Sequence, residues 1–522
     1  MKEFLKCHAD KTPVSFHMPG HKGSRLYKRF GYTEFLDNFM DWDITEIEGA
    51  DNLFNAEGII CEVQKKYADL YGVKKSWLLI NGSSSGLLAA IMACVSGGGK
   101  MIMARNCHKS VFNAARLLGA SVVYAYPEIL GVNNKIQNEC KNEKSYFDCI
   151  AGSITKDEIR ACIEANRDAE AVVITSPNYY GICSDIKAIA DVVHEAGMKL
   201  IVDQAHGAHL KFFADLYGYD EENISDEIKN PLEFPLPGEM QGADIVVCST
   251  HKTLASMTQT AILNLCTENI KAIDIEDKLQ LAESTSPSYI LMSSLDINCD
   301  LMENYGKKLT SEWYENLSWF YGKVEKIKEL NIMSWPMLDK TKINLDFGVS
   351  GKALYDYLIS CNIYPELYTG NMVMLMTGIG NCREDYERLS DALINFNPDI
   401  ADKERSDCLG EAEAALGEKG SRLAFHSDAE KFDLEKIDFK TKRDSFKIPD
   451  YNEGEWVRPN ESLNRISASA IVPYPPGIPL ICPGELITTE KIEEIKKMIK
   501  TGWKITGLDE FKRIRAVKKQ IP

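Results

Sequence analysis

The chain has 522 residues and carries 60 lysines and arginines against 77 aspartates and glutamates, a formal charge of -17. This length predicts two to four domains around a large core, and the acidic balance argues against nucleic acid or an anionic membrane as partner. No apolar run reaches ~18 residues, so no membrane-spanning helix is expected. The start, Met1-Lys2-Glu3-Phe4-Leu5-Lys6-Cys7, has no signal-peptide pattern. Fifteen scattered cysteines without a Cys-x-x-Cys pair predict reduced thiols, hence a cytoplasmic protein.

In chain order, residues 1–54 are expected to form an irregular N-terminal arm. Its stretch Thr12-Pro-Val-Ser-Phe-His-Met-Pro-Gly-His-Lys-Gly-Ser24 holds two prolines and two glycines, which exclude regular structure. His17 and His21 stand four apart, but Pro19 and Gly20 between them forbid the helix that would align them on a metal, so no metal site is expected. From about residue 55 strands and helices alternate. Trp77–Ile80 reads as a buried strand, and a turn, Asn81-Gly82-Ser83-Ser84-Ser85-Gly86, precedes a helix from Leu87. Such a turn aims free N–H groups and hydroxyls at one point, an anion site; the plainer reading is a serine helix cap.

Further strands are expected at Met101–Ala104, Val122–Ala125, Ala171–Thr175, Lys199–Val202 and Ile245–Cys248, with helices between. This alternation predicts an α/β fold with a mainly parallel sheet, whose ligands bind beyond the carboxyl ends of the strands. His108, Asp203, His206 and Lys252 all fall at that end, with the Ser83–Gly86 turn. A lysine there can serve as a surface residue or, partly desolvated, as the amine of a Schiff base. Together Lys252, an anion cradle, the Asp203 carboxylate and a flat His108 ring match what pyridoxal 5'-phosphate requires. Residues 211–241 read as a polar insertion and 400–440 as an acidic surface helix. Pro473–Gly477 reads as a rigid extended element. Domain limits are expected at 55–305 for the large domain, 306–398 for a small α/β domain and 399–522 for a C-terminal domain.

The motifs Ser249-Thr-His-Lys-Thr-Leu254, Asp203-Gln-Ala-His-Gly207, Arg105-Asn-Cys-His-Lys-Ser110, Phe16-His-Met-Pro-Gly-His-Lys-Gly23 and Pro473–Gly477 resemble the bacterial ornithine/lysine/arginine decarboxylases, in their short form. The resemblance covers roughly residues 10–310 and 460–490. It implies an aspartate-aminotransferase-like fold type I, with a seven-stranded sheet and a homodimer, decarboxylating a basic amino acid to a polyamine. By that resemblance Lys252 bears pyridoxal 5'-phosphate, Asp203 pairs with the ring nitrogen and His108 stacks on the ring. Ser84, Ser85, Ser249 and His251 would hold the phosphate. Ala205 would lie on the other ring face and His206 near the phenolic oxygen, while Thr285 and Ser286 would reach the neighbouring subunit's phosphate. Asn178 and Gln204 depart from the family pattern, where Thr and an acidic residue are common, and could alter substrate fit. Lys252 or a nearby histidine would supply the proton to Cα. An aminotransferase or β-eliminating lyase shares the cofactor set, and Arg465 is the candidate for the carboxylate clamp of an aminotransferase. A non-catalytic scaffold is disfavoured by the intact Lys252 and Asp203.

Overall fold

A computed structural model describes residues 1–128, 150–216, 232–398, 445–474, 479–500 and 504–518. The expected helix at 400–440 lies outside them, as do residues 475–478 of the proline-rich element and 217–231 of the expected insertion.

Alternating apolar strands and amphipathic helices fold into a sheet with both faces covered. The strands, in chain order after β1 (Val14–Phe16), are β2 (Lys75–Leu79), β3 (Lys100–Ala104), β4 (Ser121–Ala125), β5 (Ala171–Thr175), β6 (Lys199–Asp203), β7 (Ile245–Cys248) and β8 (Ala261–Leu265). Strands β4-β3-β5-β6-β7 are parallel neighbours, and β8 runs antiparallel between β7 and β2. Their Val/Ile/Leu/Met side chains are almost all buried, as expected for strands packed on both sides.

The sheet has eight strands rather than the expected seven. The smaller domain contributes β9 (Asn331–Ile332), β10 (Lys342–Asp346), β11 (Ile363–Pro365), β12 (Leu367–Thr369) and β13 (Met372–Met376); after it, β14 (Phe446–Lys447) pairs antiparallel with β4. Without β14 the edge of β4 would present unpaired backbone groups to solvent. Strands β12-β13-β10-β9 make a separate antiparallel sheet. The helix Tyr289–Val324 runs unbroken through residue 305, so that position is the middle of a helix joining the two sheets.

Two further expectations are corrected. The arm is not wholly irregular: Val14 and Phe16 are buried, and β1 pairs in parallel with β11 of the small domain. The stretch from 211 is not a polar insertion throughout, because Leu210–Leu216 is a helix with Phe212 and Phe213 in the core. The helix after β2 also starts earlier than expected, at Gly82, which places Ser83–Ser85 in its first turn.

The C-terminal residues enclose their own apolar cluster, with Ile471, Ile481, Ile495 and Ile514 fully buried. This unit docks on the β3–β4 side of the large sheet. Arg105, which follows β3, is 3% exposed and meets Glu485 through two bonds, Nε to Oε1 at 2.8 Å and Nη2 to Oε2 at 3.0 Å. Arg105 also donates to the carbonyls of Pro479 and Leu480, and Tyr124 donates to that of Pro483.

Candidate active site

Parallel register sets the centre of the site. Asp203, the last residue of β6, pairs with Thr175 of β5 and Val247 of β7, so its side chain sits at the carboxyl end of the sheet. It is buried, and Oδ1 accepts the Ala205 N–H at 3.1 Å. Burial raises its carboxyl above the ordinary range, opposed by the charges of Lys252 and His108. One turn of helix, Thr250–Thr253, begins directly after β7 with Ser249 at its start. Lys252 lies in that turn, its Nζ 3.0 Å from His206 Nε2. Burial pushes the Lys252 amine down to about 8, against the carboxylates of Asp203 and Glu366. His206 Nδ1 and Ser249 Oγ are buried without hydrogen-bond partners among the described residues. Orphaned buried polar atoms are uncommon, and two in one cleft mark a place built to be filled.

The anion cradle adjoins this centre. Gly82 opens its helix at φ +78, a left-handed turn that glycine adopts freely, and the first-turn N–H groups of Ser83 and Ser84 face outward from the helix ladder. A cavity of about 320 Å³ lies between this helix and the helix Lys109–Leu118, lined by Ser84, Ser85, His108, Ser110 and Asn81 among others. His108 caps the second helix, its Nδ1 accepting the Ser110 N–H at 3.3 Å. Ser85 is already engaged: its hydroxyl reaches the Gly82 carbonyl at 2.7 Å and the Glu283 carboxyl. Burial raises Glu283 to about 7. When ionised, it competes with Gly82 for the single Ser85 proton; when protonated, it can donate to Ser85 instead. His251 also has one nitrogen committed, Nδ1 lying 2.7 Å from the Thr260 carbonyl, which leaves Nε2 for a ligand. Thr285 and Ser286 are exposed and do not line this cavity of their own chain.

The arm lies against the lysine turn and brings with it Glu366, which the sequence reading missed. Its backbone passes between the domains: the Gly20 N–H donates to His251 O at 2.8 Å, Gly380 N–H donates to Gly20 O at 3.0 Å, and Ile379 N–H donates to Thr253 O at 2.9 Å. A Cβ at residue 20 would lie 2.4 Å from the Thr253 carbonyl carbon, so only glycine fits beside the lysine turn. The neighbouring Met18 N–H donates to Glu366 Oε2 at 2.9 Å, and Tyr179 OH donates to Glu366 Oε1 at 2.5 Å. Glu366, in the small domain, thus faces Lys252 with both oxygens pinned. His17 and His21 bond through Nδ1 to the arm's own backbone.

The two departures from the family pattern are spent elsewhere. Asn178 organises its loop, Oδ1 accepting the N–H groups of Tyr180 and Ile182 and Nδ2 donating to Ala151 O. Gln204 binds the 232–241 segment through Gly238 N–H and Glu239. Arg465 is equally committed, to Glu455 at 2.6 Å and the Val517 carbonyl.

Comparison with known proteins then decides the family. Residues 1–343 match the model for "Orn/Lys/Arg decarboxylase, major domain" and residues 438–504 that for its C-terminal domain. The chain belongs to the Orn/Lys/Arg decarboxylase family. An arginine decarboxylase of Bacillus subtilis is 28% identical over 532 residues, covering 99% of this chain and 97% of that protein. The constitutive lysine decarboxylase of E. coli shares the fold at a TM-score of 0.67 and 19% identity, over 99% of this chain and 82% of that one. A structure described as "SPT with PLP" superposes at a TM-score of 0.51 and 10% identity, over 73% of this decarboxylase and 85% of that chain. The candidate site of the decarboxylase is the cleft beside Asp203 and Lys252, with the cradle of Ser84 and His108 next to it and Glu366 on the small-domain side.

Proposed function

We propose that this decarboxylase uses pyridoxal 5'-phosphate to decarboxylate a basic L-amino acid, arginine, lysine or ornithine, to the corresponding polyamine. The observation that carries the reading is Lys252, an amine brought to about 8 at a strand end, facing a buried carboxylate and an anion cradle. The residues fit the group: a phosphate would give Ser249 Oγ a partner, which it lacks among the described residues, and a protonated ring nitrogen would offset the cost of burying Asp203. The structure described as "SPT with PLP" shares the fold, and the Bacillus relative is named for arginine.

Lys252 would hold the group covalently, with Ser84, Ser249, His251 and the N–H groups of the helix at Gly82 around its phosphate. Ser83 and Ser85 would shape that turn, Ser85 through Glu283. Asp203 would keep a proton on the ring nitrogen, and His108 and Ala205 would flank the ring. When bound, the group supplies the sink for the electrons of the breaking Cα–carboxylate bond. His206, 3.0 Å from Lys252 Nζ, allows the pair to hold and pass the proton that Cα takes up. Glu366 offers a fixed carboxylate to the cationic end of the substrate. Arg465, bonded to Glu455 and Val517, is not available as the clamp an aminotransferase uses.

The same reading includes a homodimer with shared sites. Met40, Ile47, Ile59, Ile273 and Leu281 are exposed apolar residues in the arm, at the start of the helix Ile59–Tyr71 and on the helix Ala272–Ala282 that leads to Thr285 and Ser286. The deciding experiment loads the purified protein with pyridoxal 5'-phosphate and measures carbon dioxide and amine product from arginine, lysine and ornithine. Keto acid in place of carbon dioxide would replace this reading with transamination.

A further inference from the structure

Beneath the lysine turn lies a second set of buried charges that joins the two domains. The side chains of Asp339 and Lys342 are 0% exposed and that of His209 is 1% exposed. Lys342 Nζ meets Asp339 Oδ2 at 2.7 Å, and His209 Nε2 and Thr341 Oγ1 both reach Asp339 Oδ1, at 3.1 and 2.7 Å. Asp339, Thr341 and Lys342 belong to the small domain, and His209 to the large. Burying an ion pair costs several kcal/mol, and apolar residues of similar size often stabilise as well or better. Stability alone therefore does not account for these charges.

Their connections do. Lys342 Nζ donates to the carbonyl of His206 at 2.8 Å, and the ring of that residue is the partner of Lys252. His209 Nδ1 lies 3.1 Å from the hydroxyl of Thr253, the residue after Lys252. One network thus holds the backbone of His206 and the turn bearing Lys252. We propose that Lys342, held by Asp339, is a positioning residue: it fixes the Lys252–His206 pair against the small domain and presents a second positive charge to the Lys252 amine. This rests on Lys252 being the cofactor-bearing amine.

Lys342 acts on Lys252 alongside Asp203 and Glu366, which oppose it, and it also faces His206 and Lys22. Removing its charge should make the amine easier to protonate. The test compares wild type, Lys342→Met, Lys342→Gln and Lys342→Arg, loaded with pyridoxal 5'-phosphate, by the pH midpoint at which the lysine-bound cofactor changes colour. A second readout is the pH dependence of acetic-anhydride labelling of Lys252 in cofactor-free protein, located by peptide mass spectrometry. Both neutral variants should move the midpoints upward by about one pH unit, and Lys342→Arg should leave them near wild type. Gln keeps a polar amide donor in this polar pocket, so it decides the matter if Met does not fold. Unmoved midpoints in the neutral variants, or an Arg variant shifted as far as they are, would overturn the proposal. A wild-type protein that takes up no cofactor would remove the cofactor reading, while the labelling would still report whether Lys342 acts on Lys252.

Discussion

Glu485→Gln is the sharpest test of how the C-terminal unit is held. The substitution keeps the shape of the side chain and removes the charge facing Arg105. Burial alone would raise the Glu485 carboxyl; Arg105 and then Lys491 overcome this and bring it from 4.5 to about 2. At ~1.4 kcal/mol per pH unit, that depression corresponds to about 3 kcal/mol of stability. Stranding a buried arginine without its partner costs ~3–5 kcal/mol by a separate route, so the two agree in size. Because the folded pKa lies below the unfolded one, the contribution is complete above about 4.5 and is lost as pH falls toward about 2. Urea unfolding of wild type and variant, followed by circular dichroism from about pH 7 down to about pH 3, should show a gap of about 3 kcal/mol that narrows in acid. Equal stability near neutrality, or a gap that persists unchanged in acid, would refute the reasoning.

The remaining predictions concern the site. Lys252→Ala should abolish any chromophore that borohydride can fix to the chain; a fixed chromophore in that variant would place the covalent anchor elsewhere. Asp203→Asn should fold and take up cofactor but lose at least about tenfold in turnover, since a neutral amide forgoes an ion-pair effect of ~1–3 pH units; turnover within a factor of two of wild type would be the contrary result. Glu366→Gln should raise KM for a basic amino acid with little change in cofactor affinity, and an unchanged KM would separate Glu366 from the substrate. Co-refolding Lys252→Ala chains with Thr285→Ala/Ser286→Ala chains should recover activity above either parent if sites are shared; exchange of subunits without recovery would confine the site to one chain.

Much of the placement of the candidate residues was legible in the sequence, because a parallel sheet brings the ends of its strands to one edge. Asp203 and Lys252 each follow a run of Val and Ile, and the end of a buried strand is a position that pattern alone identifies. His108 and Ser84 followed from the same logic. Glu366 and Lys342 did not, because each stands alone in a small-domain segment and becomes meaningful only when that domain folds over the lysine turn. A faint signal existed: Asp339-Lys340-Thr341-Lys342 runs straight into the apolar Ile343, an ionic cluster where a buried strand begins. The eighth strand escaped notice because β14 is two residues long and its place is set by the exposed edge of β4, not by its own pattern. Ser85 could not be read fully from its motif, which points to phosphate and says nothing of the bonds its hydroxyl makes to Gly82 and Glu283.

The passage of Gly20 between Thr253 and Gly380 has a consequence for how the chain is made. The arm leaves the ribosome ahead of both sheets, yet every backbone group Gly20 binds here is synthesised hundreds of residues later. At ~5–20 residues per second, the interval between Gly20 and Gly380 lasts roughly 20–70 s. During that time Val14 and Phe16 have no sheet to join, because β11 does not exist. The large sheet can form while the arm waits, but the arm cannot seat until the small domain has been translated. Completion of the lysine turn therefore cannot precede translation of Gly380, and a nascent chain stopped short of that residue would lack the backbone groups that seat the arm.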